Sequence, residues 1–179
     1  AKLRDHQPLL DDPPVQSAVG RGIGDGGAAA EDGDRRPGLD GAAMSRAVDL
    51  GVNWIDTAPI YGRGHSEEVV ARFLRGKSAD QRPYVFTKCG LVWDAKKRGS
   101  EVRRLLTAES IRRECEQSLR RLQIDRIDLY QFHWPDDQGT PVEASWRVME
   151  DLEKQGKVRA IGVSNFDVPQ MEAARQARP

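Results

Sequence analysis

Four apolar, strand-like runs each end in a polar residue and are each followed by a loop and a helix-like stretch. They are Val52-Asn53-Trp54-Ile55 before Asp56, Tyr84-Val85-Phe86-Thr87 before Lys88, Ile127 to Phe132 before His133, and Val158 to Val163 before Ser164-Asn165. The order strand, loop, helix, repeated, predicts a parallel β/α architecture, because parallel neighbours need a crossover helix between them. In such folds all strand C-termini lie on one face, where the chemistry is placed. A carboxylate, an amine and an imidazole that are far apart in sequence are thereby expected in one cleft. The phenol of Tyr61, five residues beyond Asp56, is expected with them.

Lys88 is the most constrained of these residues. A lysine closing Tyr-Val-Phe-Thr would sit in the mouth of a barrel, and a buried lysine needs a partner; Asp56 is the candidate. A free phenol titrates near 10, too high for easy proton donation at neutral pH, and a neighbouring ammonium favours the phenolate. The trio therefore reads as a tuned general acid, with Tyr61 giving a proton to a carbonyl oxygen. His133 shares a strand face with Ile127, Leu129 and Gln131 and is placed to polarise the same oxygen. Taken singly, Asp56 reads as a strand-end cap and Tyr61 as an ordinary half-exposed aromatic. Their joint occurrence at successive strand ends favours catalysis.

Four segments carry a family resemblance: Asp56-Thr57-Ala58-Pro59-Ile60-Tyr61-Gly62, Thr87-Lys88-Cys89-Gly90, Tyr130-Gln131-Phe132-His133-Trp134-Pro135 and Gly162-Val163-Ser164-Asn165-Phe166. In this order they resemble the aldo-keto reductases, over about residues 41 to 178. The resemblance implies a (β/α)8 TIM barrel, here incomplete with about four of eight βα units. It also implies reduction of an aldehyde or ketone, with Asp56, Tyr61, Lys88 and His133 as the catalytic set. The cofactor would be NADPH, with NADH the alternative, and Ser164 and Asn165 would hydrogen-bond the nicotinamide carboxamide. Trp93 and Trp134, following the strands of Lys88 and His133, are candidates to line the substrate pocket. No metal is implied.

Composition separates the chain into residues 1–40 and residues 41–179. All eleven aromatic residues lie after position 53, whereas residues 1–40 hold seven of the 17 glycines and four of the ten prolines. That segment shows no sustained period of 2 or 3.6 and reads as irregular. The first barrel strand is not recognisable there; of two explanations, a native disordered leader and a shifted reading frame before about position 41, the second is favoured. Gly22-Ile23-Gly24-Asp25-Gly26-Gly27 fits a dinucleotide-binding fingerprint, but it lacks the strand before and the helix after that the fingerprint requires. It is read as chance.

The balance of 28 acidic and 28 basic residues gives zero formal net charge, without the basic footprint of a nucleic-acid binder. Cys89 and Cys115 have neither disulfide-framework nor zinc-site spacing and fit a reducing cytoplasm. No apolar run approaches a membrane span. Five helices are expected. Ala42 to Leu50 is stopped by Gly51, and Ser66 to Leu74 has Ser66 as N-cap. A third opens at Thr107 with Ile111, Cys115, Leu119 and Leu122 buried. A fourth opens with a Thr140–Glu143 capping box and ends at Gly156, and the last starts from Asp167–Gln170. Lys96, Lys97, Arg98, Arg103 and Arg104 read as a solvated basic loop, and His65 as support for the second helix.

Four strands leave open edges beside Val52 to Asp56 and Val158 to Val163, so self-association through them is expected, and inward Trp54, Phe86, Leu129 and Ile161 would lack a facing core. The 179-residue chain is accordingly expected not to be a working enzyme by itself. A cofactor-binding regulatory module resembling potassium-channel β subunits, or a non-functional gene fragment, are the rival readings.

Overall fold

The computed structural model describes residues 39–97 and 99–177. The chain divides into two compact units between Asn53 and Trp54. In the first, helix α1 (Leu39–Asp49) closes with Leu50 N–H donating to Arg46 O at 3.1 Å, and Gly51 follows at φ +93°. The expectations for the glycine-rich segment before it lie outside the described residues.

The second unit is a four-stranded parallel sheet, ordered β1 (Trp54–Asp56), β2 (Tyr84–Cys89), β5 (Ile127–Phe132) and β6 (Val158–Val163). Between them run α2 (His65–Leu74), α3 (Ala108–Leu122) and α4 (Val142–Lys154), with α5 (Val168–Gln176) after β6. This is the incomplete β/α barrel that the repeat predicts. A two-stranded antiparallel ribbon, β3 (Leu91–Val92) with β4 (Arg103–Arg104), is additional; the basic segment expected to be a plain loop supplies its second strand.

Register decides which residues face the helices. Asp56 pairs with Phe86, Phe86 with Leu129 and Leu129 with Ala160, so these share a face. Thr87 pairs with Tyr130 and Tyr130 with Ile161, which puts the opposite set on the other face. Val85, Thr87, Cys89, Tyr130 and Phe132 of that second set are all buried beneath the helices. Trp54, Phe86, Leu129, Gln131 and Ala160, on the face turned toward the barrel axis, are only half-buried. Ile161 is thus a correction: it lies on the helix side, because the register through Tyr130 places it there. Trp54 and Phe86 stack with ring centres 5.4 Å apart on the axial face. Strands β1 and β6 are the sheet edges.

Helix starts follow capping chemistry, with two exceptions. Thr107 caps α3 by accepting from Ser110 N–H, and Asp167 with Gln170 forms a complete capping box on α5. Helix α2 instead begins one residue early, at His65, with Gly64 as N-cap; the Ser66 hydroxyl is bonded at 2.8 Å to Thr57 Oγ1 and cannot cap. Pro141, not Thr140, is the N-cap of α4, and it has no side-chain cap bond. Thr140 donates its N–H to Asp136 at 2.9 Å. In α3 the buried stripe is Ile111, Cys115, Ser118 and Leu122, with Leu119 half-buried. Burial raises the Cys115 thiol to about 12 and pushes Cys89 well up too, so both are unreactive at neutral pH.

Candidate active site

Strands β1 and β2 bring the first two candidate groups together. Lys88 is two residues beyond Phe86, on the face it shares with Asp56. The Lys88 Nζ donates to Asp56 Oδ2 at 2.6 Å and to Thr57 O at 3.0 Å. The lysine side chain is 6% exposed and the aspartate 35%. A buried ammonium is tolerable only with such partners, since an unpaired one would carry the whole desolvation penalty. The pairing is the one expected from sequence.

Tyr61 opens a 3-10 turn, Tyr61–Gly64, and is 44% exposed. Its ring centre lies 5.4 Å from Lys88 Nζ and 5.7 Å from the His133 ring, which meets it edge-on at 87°. The three groups converge as predicted, with one difference in detail. The ammonium sits beside the phenol ring, and among the described residues no hydrogen bond joins it to the hydroxyl. Two of the ammonium's three N–H donors go to Asp56 and Thr57 O.

His133 is buried, and its N–H donates to Cys89 O at 2.9 Å, extending the β5–β2 ladder past the strand end. Burial first, and the Lys88 charge second, lower its pKa to about 4. At neutral pH it is therefore a neutral imidazole, able to donate one N–H but carrying no charge.

Ser164 continues the β6 ladder through its N–H to Phe132 O at 2.8 Å, and Asn165 follows at φ +58°. Asn165 Nδ2 donates to His133 O at 2.8 Å and to Ser164 Oγ at 3.2 Å. The Ser164-Asn165 pair is thereby tied to the histidine segment. Trp134 carries the Arg104 guanidinium over its ring at 4.4 Å. Trp93 is paired with Arg63, at 5.9 Å. With Arg63 it lines a groove of about 860 Å³ that runs along α2 and α3 and contains none of Asp56, Tyr61, Lys88 or His133. That large groove is separate from the convergent polar groups.

Two buried carboxylates next to the site were not singled out from sequence. Glu67 is fully buried and accepts from Thr87 Oγ1 at 2.8 Å and Arg121 Nε at 2.6 Å. Glu114 accepts from Gly90 N–H and Ser110 Oγ, each at 2.9 Å, and burial raises its pKa to about 7. Both flank the segment bearing Lys88. A signal existed: Glu67 precedes Val70, Ala71 and Leu74 at helical spacing, and Glu114 lies three residues after Ile111 and one before Cys115. Each occupies the apolar stripe of its helix. His65, read as support for the second helix, is the first residue of α2 and lies 3.9 Å from Glu68.

The family model for the aldo/keto reductase family matches residues 23–179. The chain belongs to the aldo/keto reductase family. Within it, the chain is 40% identical over 153 residues to the NADH-specific methylglyoxal reductase of Escherichia coli (strain K12), covering 81% of this chain and 46% of that protein. A solved glycerol dehydrogenase from Gluconobacter oxydans superposes with TM-score 0.72 and 44% identity, over 80% of this chain and 45% of that one. An aldo-keto reductase from Klebsiella pneumoniae, solved in complex with NADPH, gives TM-score 0.61 and 36% identity, over 75% and 42%. The chain thus spans less than half the length of the family members it matches. The match begins at residue 23, earlier than the motif resemblance that starts near residue 41. Among the described residues no helix is long and apolar enough to cross a membrane.

Proposed function

We propose that the protein reduces an aldehyde or ketone to the alcohol, using a nicotinamide dinucleotide, with Tyr61 as general acid. The observation that carries this reading is the buried Lys88 ammonium, paired with Asp56 at 2.6 Å and 5.4 Å from the Tyr61 ring centre. A fixed ammonium beside a phenol favours development of negative charge on the phenolic oxygen as its proton leaves. Asp56 and Thr57 O hold that ammonium in position. The neutral His133, edge-on to the ring, orients the carbonyl by donating its imidazole N–H. Trp134, immediately after it, is the better of the two tryptophans for a substrate wall, since Trp93 lines the α2–α3 groove.

The groups at the end of β6 fit a carboxamide, with the Ser164 hydroxyl as donor and Asn165 Oδ1 as acceptor, since Asn165 Nδ2 already donates to His133 O and Ser164 Oγ. Ser164 Oγ accepts from Asn165, which leaves its own proton free to donate, and Asn165 is exposed. These two would hold a nicotinamide amide. When bound, the dinucleotide supplies the hydride that reduces the carbonyl carbon. The Klebsiella relative's complex supports NADPH, and the Escherichia coli relative's NADH specificity keeps NADH as the alternative.

Tyr61→Phe removes the proton donor and keeps the ring. Turnover of a simple aldehyde should fall by roughly 10²–10⁴-fold, the usual loss for a general acid, with dinucleotide affinity by fluorescence titration unchanged. Near-normal turnover in the variant would sink the assignment.

A further inference from the structure

We infer that Arg63 is a positioning residue that holds the Tyr61 turn by clamping it to Ser100 and Trp93, an inference that rests on the catalytic reading of Tyr61. The turn is unusual in its backbone. Gly62, Arg63 and Gly64 take φ of +60°, +52° and +99° in succession. Glycine adopts such angles freely, but arginine does so at a cost, and a strained residue persists only where its surroundings over-determine it. The surroundings of Arg63 are explicit. Its Nη1 donates to Ser100 Oγ at 3.1 Å and its Nη2 to Ser100 O at 3.0 Å, while the guanidinium lies over Trp93. A planar fork reaching two acceptors of one residue is a bond set that lysine cannot reproduce.

The anchor is itself held. Ser100 is buried, its hydroxyl donates to Asp94 O at 2.9 Å and its N–H to Lys97 O at 3.1 Å. On the other side of the turn, Arg121 from α3 packs against Gly64, where a Cβ would come within 2.8 Å of its Cδ. Arg121 is fixed in turn by buried Glu67. The turn bearing Tyr61 is gripped from both sides, and Arg63 is the side that reaches it through its own chain. Tyr61 is 44% exposed and, among the described residues, is hydrogen-bonded only through its backbone, by its N–H to Ala58 O and its carbonyl to His65 N–H. The position of its ring near Lys88 therefore depends on how the turn is gripped.

The test uses the full protein and three variants at position 63. Arg63→Ala should lower kcat about tenfold, within the range that small misplacements of a reacting group produce, while KM and dinucleotide affinity stay within about twofold. Arg63→Lys should fall between wild type and Arg63→Ala. Arg63→Gly, which relieves the backbone but not the lost clamp, should match Arg63→Ala; full activity in it would overturn the clamp. Hydrogen exchange at the Gly62–Gly64 amides should speed up in Arg63→Ala, with β5 unchanged. Unaltered exchange, or faster exchange with unaltered kcat, would each refute the inference. The exchange measurement reads the clamp even if Tyr61→Phe were to overturn the catalytic reading.

Discussion

Glu114 and His133 titrate in opposite senses in nearly the same pH window, so substituting either one should reveal a pH dependence of stability that the wild type conceals. Burial raises Glu114 from 4.5 to about 7, and burial with Lys88 lowers His133 from 6.5 to about 4. The folded state therefore keeps the Glu114 proton that the unfolded chain releases. Its contribution is full below pH 4.5 and is lost as pH rises to about 7. The folded state also refuses the proton that unfolded His133 accepts. That contribution is full above pH 6.5 and is lost as pH falls to about 4. Each change corresponds to up to about 3 kcal/mol, and between pH 4.5 and 6.5 the two offset each other. The measurement is urea unfolding at half-unit steps from pH 4.5 to 7.5. Glu114→Gln keeps an acceptor for Gly90 N–H but cannot titrate; its stability should climb by about 2–3 kcal/mol over this window relative to wild type. His133→Gln should decline by a similar amount, and the double variant should run nearly parallel to wild type. Other titrating groups cancel in these differences. A Glu114→Gln curve parallel to wild type would refute the reasoning.

Glu67→Ala strips the partner from Arg121 and the acceptor from Thr87, and breaking such a buried pair should destabilise by about 3–5 kcal/mol, read as a drop in the urea midpoint with unchanged slope. A loss under about 1 kcal/mol would show that Arg121 simply turns to solvent. Asp136 accepts from the N–H groups of Leu106, Gln138 and Thr140, and these bonds hold its pKa below the usual carboxylate range. Asp136→Ala should cost about 1–3 kcal/mol and speed hydrogen exchange at Leu106, where the strand ribbon meets the loop after β5; unchanged exchange there would remove Asp136 as the anchor.

The catalytic constellation shows why convergence was legible. Asp56, Lys88 and His133 lie at the ends of successive parallel strands, and the parallel rule alone puts strand ends on one face. Once β1, β2 and β5 are recognised, their meeting follows without coordinates. Strands β5 and β6 carry their predicted boundaries because both are apolar runs closed by polar residues. Strand β1 is shorter than its run, starting at Trp54, since pairing with Tyr84 begins there. The caps at Thr107 and Asp167 were equally legible, because a cap bonds within three residues of itself.

What tertiary structure alone decided was the identity of distant partners. Ser66 has every local feature of an N-cap, yet its hydroxyl is taken by Thr57. Ile161 reads like any inward strand residue until the register with Tyr130 turns it toward the helices. The ribbon of β3 with β4 pairs Leu91 with Arg104 across an intervening loop, and no short-range pattern specifies that pairing. Glu67 is the plainest case. Its place in an apolar stripe was visible, but whether a carboxylate can be buried there depends on Arg121, 54 residues away. Periodicity and capping act over one or two turns of chain, and so they are written locally. The desolvation of a charge is offset only by a group that folding brings to it, and that partner is a property of the assembled structure.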